Sequence, residues 1–172
     1  TMPATATKPS TRENLVAAAI RLVAAHGTSG ASIRQIARAA GVTEGTIYRH
    51  FRSKDDLCRE AFQGIIGSMI QEKAELLEAD ISTHERVERW IRKTFEFYDR
   101  DPDAFTYVLL VPHDLTPSLR DVYHEQGRLF VELVRRGQLD GSLRAMPEPT
   151  ALMHFSALLL NVPRWINEGS LQ

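Results

Sequence analysis

Cysteine occurs once in the 172 residues, at Cys58, which leaves no partner for an internal disulfide and puts a thiolate metal site out of reach. Nothing in the chain calls for an oxidising compartment, so a cytoplasmic protein without metal or cofactor is expected. Long apolar runs are missing as well. Even "LVAAAIRLVAA" is cut by Arg21, well short of the about 20 residues of a membrane span, and no membrane partner is expected. The opening TMPATATKPS has no apolar centre of the kind a secretory signal needs, and residues 1–9 read as a flexible arm. Catalytic signatures are absent too: there is no H-E-x-x-H, no G-x-S-x-G and no phosphate-binding glycine loop. His84-Glu85 and His124-Glu125 are isolated dipeptides of the kind solvated helices carry, so the chain is expected not to be an enzyme.

What remains is an ordinary globular composition, 43% hydrophobic and 25% charged, sufficient to bury a core without covalent staples. The formal net charge of -1 conceals an asymmetry. Residues 1–58 hold eight Lys/Arg against four Asp/Glu, a net +4, and the remainder is -5. A basic head on an acidic body is the pattern expected when one end meets a polyanion.

Nearly every segment repeats its apolar residues with helical period and none alternates convincingly with period two, so the fold is expected to be all-α. Leu15, Ala18, Ala19, Leu22 and Val23 stripe a first helix from about Ser10 to His26, and Gly27 is placed to end it. Ser32 with Gln35 forms a capping box for a short second helix, and Ser53 caps a long fourth one running to about Ala79. The stripe of that fourth helix is Leu57, Ala61, Ile65, Met69, Leu76 and Leu77. Asp101-Pro102 and Thr116-Pro117 each mark a new helix. Pro163 is expected to kink or interrupt the last one, from about Glu148 to Asn167.

The stretch "ARAAGVTEGTIYRHF" breaks a helix and restarts it at once. Gly41 supplies the left-handed residue that closes the second helix, Thr43 caps the third, and Val42 turns inward with Ile36, Ala37, Ala40, Ile47 and Phe51. Such a turn serves a DNA-binding helix-turn-helix, and equally a plain αα-hairpin. The third helix adds an outer face of Glu44, Thr46, Tyr48, Arg49 and His50, all able to hydrogen-bond, with Gly45 permitting close backbone approach. Arg49 has the geometry for guanine O6 and N7, or for a phosphate; Glu44 has it for cytosine N4, or for complementing the helix dipole. Tyr48 and Lys54 are expected to grip phosphate.

"SIRQIARAAGVTEGTIYRHFRSKDDL", Ser32 to Leu57, resembles the DNA-binding signature of TetR-type transcriptional regulators. The resemblance implies a three-helix DNA-binding domain over residues 1–52 and a helical ligand-binding and dimerisation domain over 53–172. It implies that Ser32 and Arg34 meet the phosphate backbone, and that Thr43, Glu44, Gly45, Thr46, Arg49 and His50 lie at or near the groove of a double-stranded operator. In the body it implies a homodimer formed by the last two helices, through Leu129, Leu133, Leu152, Leu159, Val162 and Ile166. It also implies a small-molecule effector, with Met69, Phe95, Tyr98, Phe105, Tyr107, Phe130 and Phe155 on the cavity-lining helices and His113 as a polar anchor. The implied function is a ligand-responsive repressor. The rival readings are a DNA-binding protein without an effector and a small enzyme using the body.

Overall fold

The computed structural model describes residues 9–110 and 117–170, and the side chains of all of these except 117–123. Among them the protein is all-helical: α1 (Thr11–Gly30), α2 (Ile33–Ala39), α3 (Glu44–His50), α4 (Lys54–Glu78), α5 (Thr83–Arg100), α6 (Pro102–Phe105), α7 (Pro117–Leu139) and α8 (Glu148–Asn167), with a π-helical stretch Thr106–Leu110 following α6. None of these helices is long and apolar enough to cross a membrane. The chain divides into two compact units, Thr1–Ala61 and Phe62–Gln172.

In the first unit several local signals act as read, the Ser32–Gln35 capping box among them. Ser10 and Ser32 each close a capping box, with Glu13 and Gln35 returning the bond. Gly27 stands at φ 73, ψ 171 and breaks the regularity of α1. After α2 the chain turns by a Schellman motif: the amide of Val42 donates to the Ala37 carbonyl at 2.9 Å and that of Gly41 to Arg38 at 3.2 Å. Gly41 has φ +71, a conformation in which any Cβ is strained. The turn directs Val42 back onto a core of Leu15, Ala18, Ala19, Ile36, Ala37, Ile47, Phe51 and Leu57. Leu57 belongs to the first turns of α4, which is why the compact unit extends past the boundary read from the sequence at residue 52.

The second unit is built on Leu76, Leu77, Trp90, Phe130, Leu133, Val134, Ala151 and Leu159. Trp90 meets Phe130 edge-on at 6.0 Å, and Phe130 stacks on Phe155 at 4.3 Å. The last carbonyls of α4 are capped by arginines from other helices. Arg86 Nε and Nη2 donate to Leu76 O at 3.1 Å and Ala79 O at 2.6 Å, and Arg136 Nη1 donates to Leu77 O at 2.6 Å. These satisfy orphan carbonyls and place positive charge where the helix dipole is negative.

Asp101-Pro102 opens a helix as read, with Asp101 as its N-cap, and it lasts four residues before passing into the π-helical stretch. Two local expectations are corrected. The inward residue of α4 is Ile66, not Ile65, because the stripe drifts one position past Phe62. α8 runs through Pro163 without an assigned break; the ring is fully buried, and that burial offsets the one backbone bond it removes.

Gly41→Ala is expected to lower stability by about 1–2 kcal/mol in thermal or urea unfolding, purely through φ, since nothing lies within 4 Å of an added Cβ.

Candidate nucleic-acid interface and body cavity

With Ile47 and Phe51 buried and the turn closed behind them, α3 is left with one free side. Thr43, Glu44, Gly45, Tyr48 and Arg49 are exposed there, Tyr48 by 58%, and Thr46 and His50 are half-buried. Among the described residues of the first unit none shields this face. Ser32 and Arg34, at the start of α2, are exposed as well. Arg49 Nη2 donates to Thr46 Oγ1 at 3.2 Å, which restrains the guanidinium over the same side of the helix. Thr43 is the N-cap residue, but its hydroxyl is 3.0 Å from Thr46 Oγ1 and caps no amide, contrary to the sequence reading.

The carboxyl end of α3 is fixed by a residue that sequence reasoning missed. Arg12 Nη1 donates to His50 O at 2.8 Å, its Nε donates to Glu60 Oε1 at 2.8 Å, its Nη2 pairs with Glu60 Oε2, and its guanidinium lies 4.4 Å above the Phe51 ring. One side chain from α1 therefore ties α3 to α4. Glu60 holds the Arg12 pKa above its ordinary value, chiefly through the hydrogen bond. The partners lie 38 and 48 residues away, so no local pattern signals them.

Lys54, expected on phosphate, is placed differently. Its Nζ donates to Thr28 O at 2.6 Å and Ala31 O at 2.9 Å, which commits two of three ammonium N–H groups to the connection between α1 and α2. That connection ends in carbonyls with no helical partner, and Lys54 supplies it.

A helix-turn-helix with this exposed polar face now stands beside the comparisons with known proteins. A family model described as "Bacterial regulatory proteins, tetR family" matches residues 15–61. Residues 15–61 therefore carry the DNA-binding signature of the TetR family. The chain is 25% identical to the HTH-type transcriptional repressor KstR2 of Rhodococcus jostii over 146 residues, covering 82% of this chain and 72% of that protein. It is 31% identical to the HTH-type transcriptional regulator BetI of Rhizobium meliloti over 135 residues, covering 78% of this chain and 64% of that protein. In fold it is similar to the fatty acid degradation regulator FadR of Bacillus halodurans, with TM-score 0.79 at 23% identity, over 96% of this chain and 89% of that one. It is also similar to FadR of Bacillus subtilis in complex with stearoyl-CoA, with TM-score 0.75 at 21% identity, over 92% and 89%.

In the body a cavity of about 300 Å³ lies among α4, α5, α7 and α8. Met69, Phe130 and Phe155 line it, as placed from the sequence. Phe95 instead packs against the body core, and Phe105 is fully buried against Phe97 and Tyr98, at 5.6 Å and 5.2 Å. Tyr107 is fully buried, and Tyr98 donates its hydroxyl to Asn167 Oδ1 at 2.7 Å; neither lines this cavity. His113 lies outside the described residues. The cavity residues missed from the sequence include Lys73, Trp90 and Thr94. A lysine at the i+4 position of the Met69 stripe, on the same face as Leu76 and Leu77, was the available signal.

Lys73 is buried. Its Nζ donates to Trp90 O at 2.9 Å and Thr94 Oγ1 at 3.0 Å and lies 4.7 Å from the centre of the Trp90 ring. Burial pushes its pKa down to about 7 from 10.5, with Glu72 opposing and Lys93 assisting. Among the expected dimer residues, Leu133 and Leu159 are buried in the subunit's own core. Leu129, Leu152 and Val162 are half-buried, and Ile166 is 43% exposed. The apolar surface that α8 offers is Met153, Leu158, Trp165 and Ile166, of which Ile166 was expected at the interface from the sequence and Met153 and Trp165 were not. Among the described residues no three His, Cys, Asp or Glu are grouped to hold a metal ion.

Gly45→Ala is expected to raise stability by about 0.5–1 kcal/mol, because the only neighbour of the new Cβ is Thr43 Oγ1 at 3.9 Å, and to weaken DNA binding in a fluorescence-anisotropy titration. Lys54→Met is expected to lower the Tm through the two released carbonyls, whereas Arg49→Ala leaves the Tm within the about 0.5 kcal/mol typical of surface changes and alters base preference.

Lys73 also sets a pH dependence. Between about pH 7 and 10.5 the unfolded chain holds a proton that the folded amine has lost, so stability rises with pH across that window. Below it both forms are protonated and the burial penalty is constant. Urea midpoints at pH 7 and 9 should show the rise, and Lys73→Met should remove this contribution to it.

Proposed function

We propose that the protein is a ligand-responsive transcriptional repressor that binds a near-palindromic operator as a homodimer and is released by a small-molecule effector. The observation that carries this reading is the unshielded polar side of α3 on a helix-turn-helix core. Ser32, Arg34 and Tyr48 would take phosphate, and Thr43, Glu44, Gly45, Thr46, Arg49 and His50 would face the groove. A second subunit would cover the exposed Leu158, Trp165 and Ile166 of α8, and two-fold symmetry then places the heads on half-sites about 34–36 Å apart.

The cavity favours an effector over a purely architectural role, and the naming of KstR2 as a repressor and the stearoyl-CoA complex of FadR point the same way for relatives. α4 passes from the first unit to the second without an assigned break. A ligand that prefers one arrangement of the body would act on the heads through that helix, and it needs only a difference in affinity between two states.

Selection of bound DNA from a random pool should return one inverted repeat. If each head neutralises about four phosphates, log affinity should fall against log salt with a slope of roughly -7 for the dimer. Recovery of no common sequence, or a slope near zero, would overturn the reading.

A further inference from the structure

The remaining chemical question is which molecule the body cavity accepts, and Lys73 bears on it directly. It is the one charged side chain among the described residues that line the cavity of about 300 Å³, whose walls are otherwise mainly apolar, with Trp90, Phe130 and Phe155 among them. With Met69 and Thr94 it also borders a second cavity of about 250 Å³. Two of its three ammonium hydrogens are taken by Trp90 O and Thr94 Oγ1, and the Thr94 hydroxyl itself donates to Trp90 O at 2.9 Å. The triangle fixes the amine and leaves a third donor.

Among the described residues no carboxylate meets that amine from the larger cavity. α7 and α8 present the neutral Gln126 and Ser156 there. On the other side Glu72 pairs with Lys93 at 3.6 Å, and Asp101, which lines the second cavity beside Arg100, accepts from the Ala104 amide at 2.9 Å. A buried cation without a counter-charge is costly, and the same low dielectric strengthens its attraction for an incoming anion.

We propose that the effector is an amphipathic carboxylic acid, its carboxylate received by Lys73 Nζ and its hydrocarbon lying against Trp90, Phe130 and Phe155. The proposal rests on the effector reading given above. A volume of about 300 Å³ is at the small end of small-molecule sites, which selects an acid of medium length or compact shape. Met69, Leu152 and Leu159 complete an apolar wall for it. Binding is coupled to protonation: with the amine pushed down to about 7, the empty site is mostly neutral at pH 8, and a carboxylate draws a proton onto it.

The test is calorimetric titration of the full chain with decanoate, decanol, decylamine and decanoyl-CoA. Decanoate should bind at least tenfold more tightly than decanol, and decylamine more weakly than either. At pH 8, in buffers of different ionisation enthalpy, decanoate binding should take up close to one proton and decanol binding none. Lys73→Met, which keeps the apolar stem, should weaken decanoate at least tenfold and leave decanol unchanged. Equal affinity for acid and alcohol, absence of proton uptake by the unmutated protein, or binding of decanoyl-CoA with no response to decanoate would each overturn the proposal. DNA selection with the same protein separates the two levels. An inverted repeat recovered without decanoate binding leaves the regulator and removes this effector; decanoate binding with no DNA recovered does the reverse.

Discussion

Two helices of seven residues cannot hold themselves together in water, and the head of this protein depends on the single turn and the single apolar cluster that hold α2 and α3. The turn at Gly41 satisfies two orphan carbonyls, those of Ala37 and Arg38, with two backbone bonds and turns Val42 onto the core in the same stroke. Burial of Ile36, Ala37, Ile47 and Phe51 then fixes which side of α3 faces outward. The exposed polar face of α3 is a by-product of that burial: its outward residues are those the core has no use for.

Several cations in this protein serve carbonyl oxygens at helix ends. Arg12 closes the end of α3, Lys54 holds the connection after α1, and Arg86 and Arg136 close α4. Helix ends expose carbonyls that the chain must satisfy when they are not open to water, and long basic side chains reach them from distant segments. The basic excess of the head is therefore a poor measure of how many positive charges a polyanion meets. Arg21, Arg34, Arg38, Arg49 and Arg52 are exposed in the head, whereas Arg12 and Lys54 are engaged in holding its helices in place.

The body shows the opposing pressure. Its aromatic residues stack into a core of ordinary packing, yet it retains a cavity and places an amine inside it. A buried methionine would fill the same space at lower cost, so stability alone does not account for Lys73.

Local chemistry was readable from the sequence: the all-helical pattern, the capping boxes at Ser10–Glu13 and Ser32–Gln35, the glycine turn and the inward set Ile36, Ala37, Ile47 and Phe51 each depend on residues within a few positions of one another. What only the tertiary structure decided involves distant partners. Arg12 reaching His50 and Glu60, Lys54 reaching Thr28 and Ala31, Lys73 reaching Trp90, and the burial of Leu133 and Leu159 inside the subunit all bring together residues far apart in the chain. Helical period gives the direction of a side chain relative to its own axis. Which surface then meets that side chain is set by packing between helices, and the period carries no information about that.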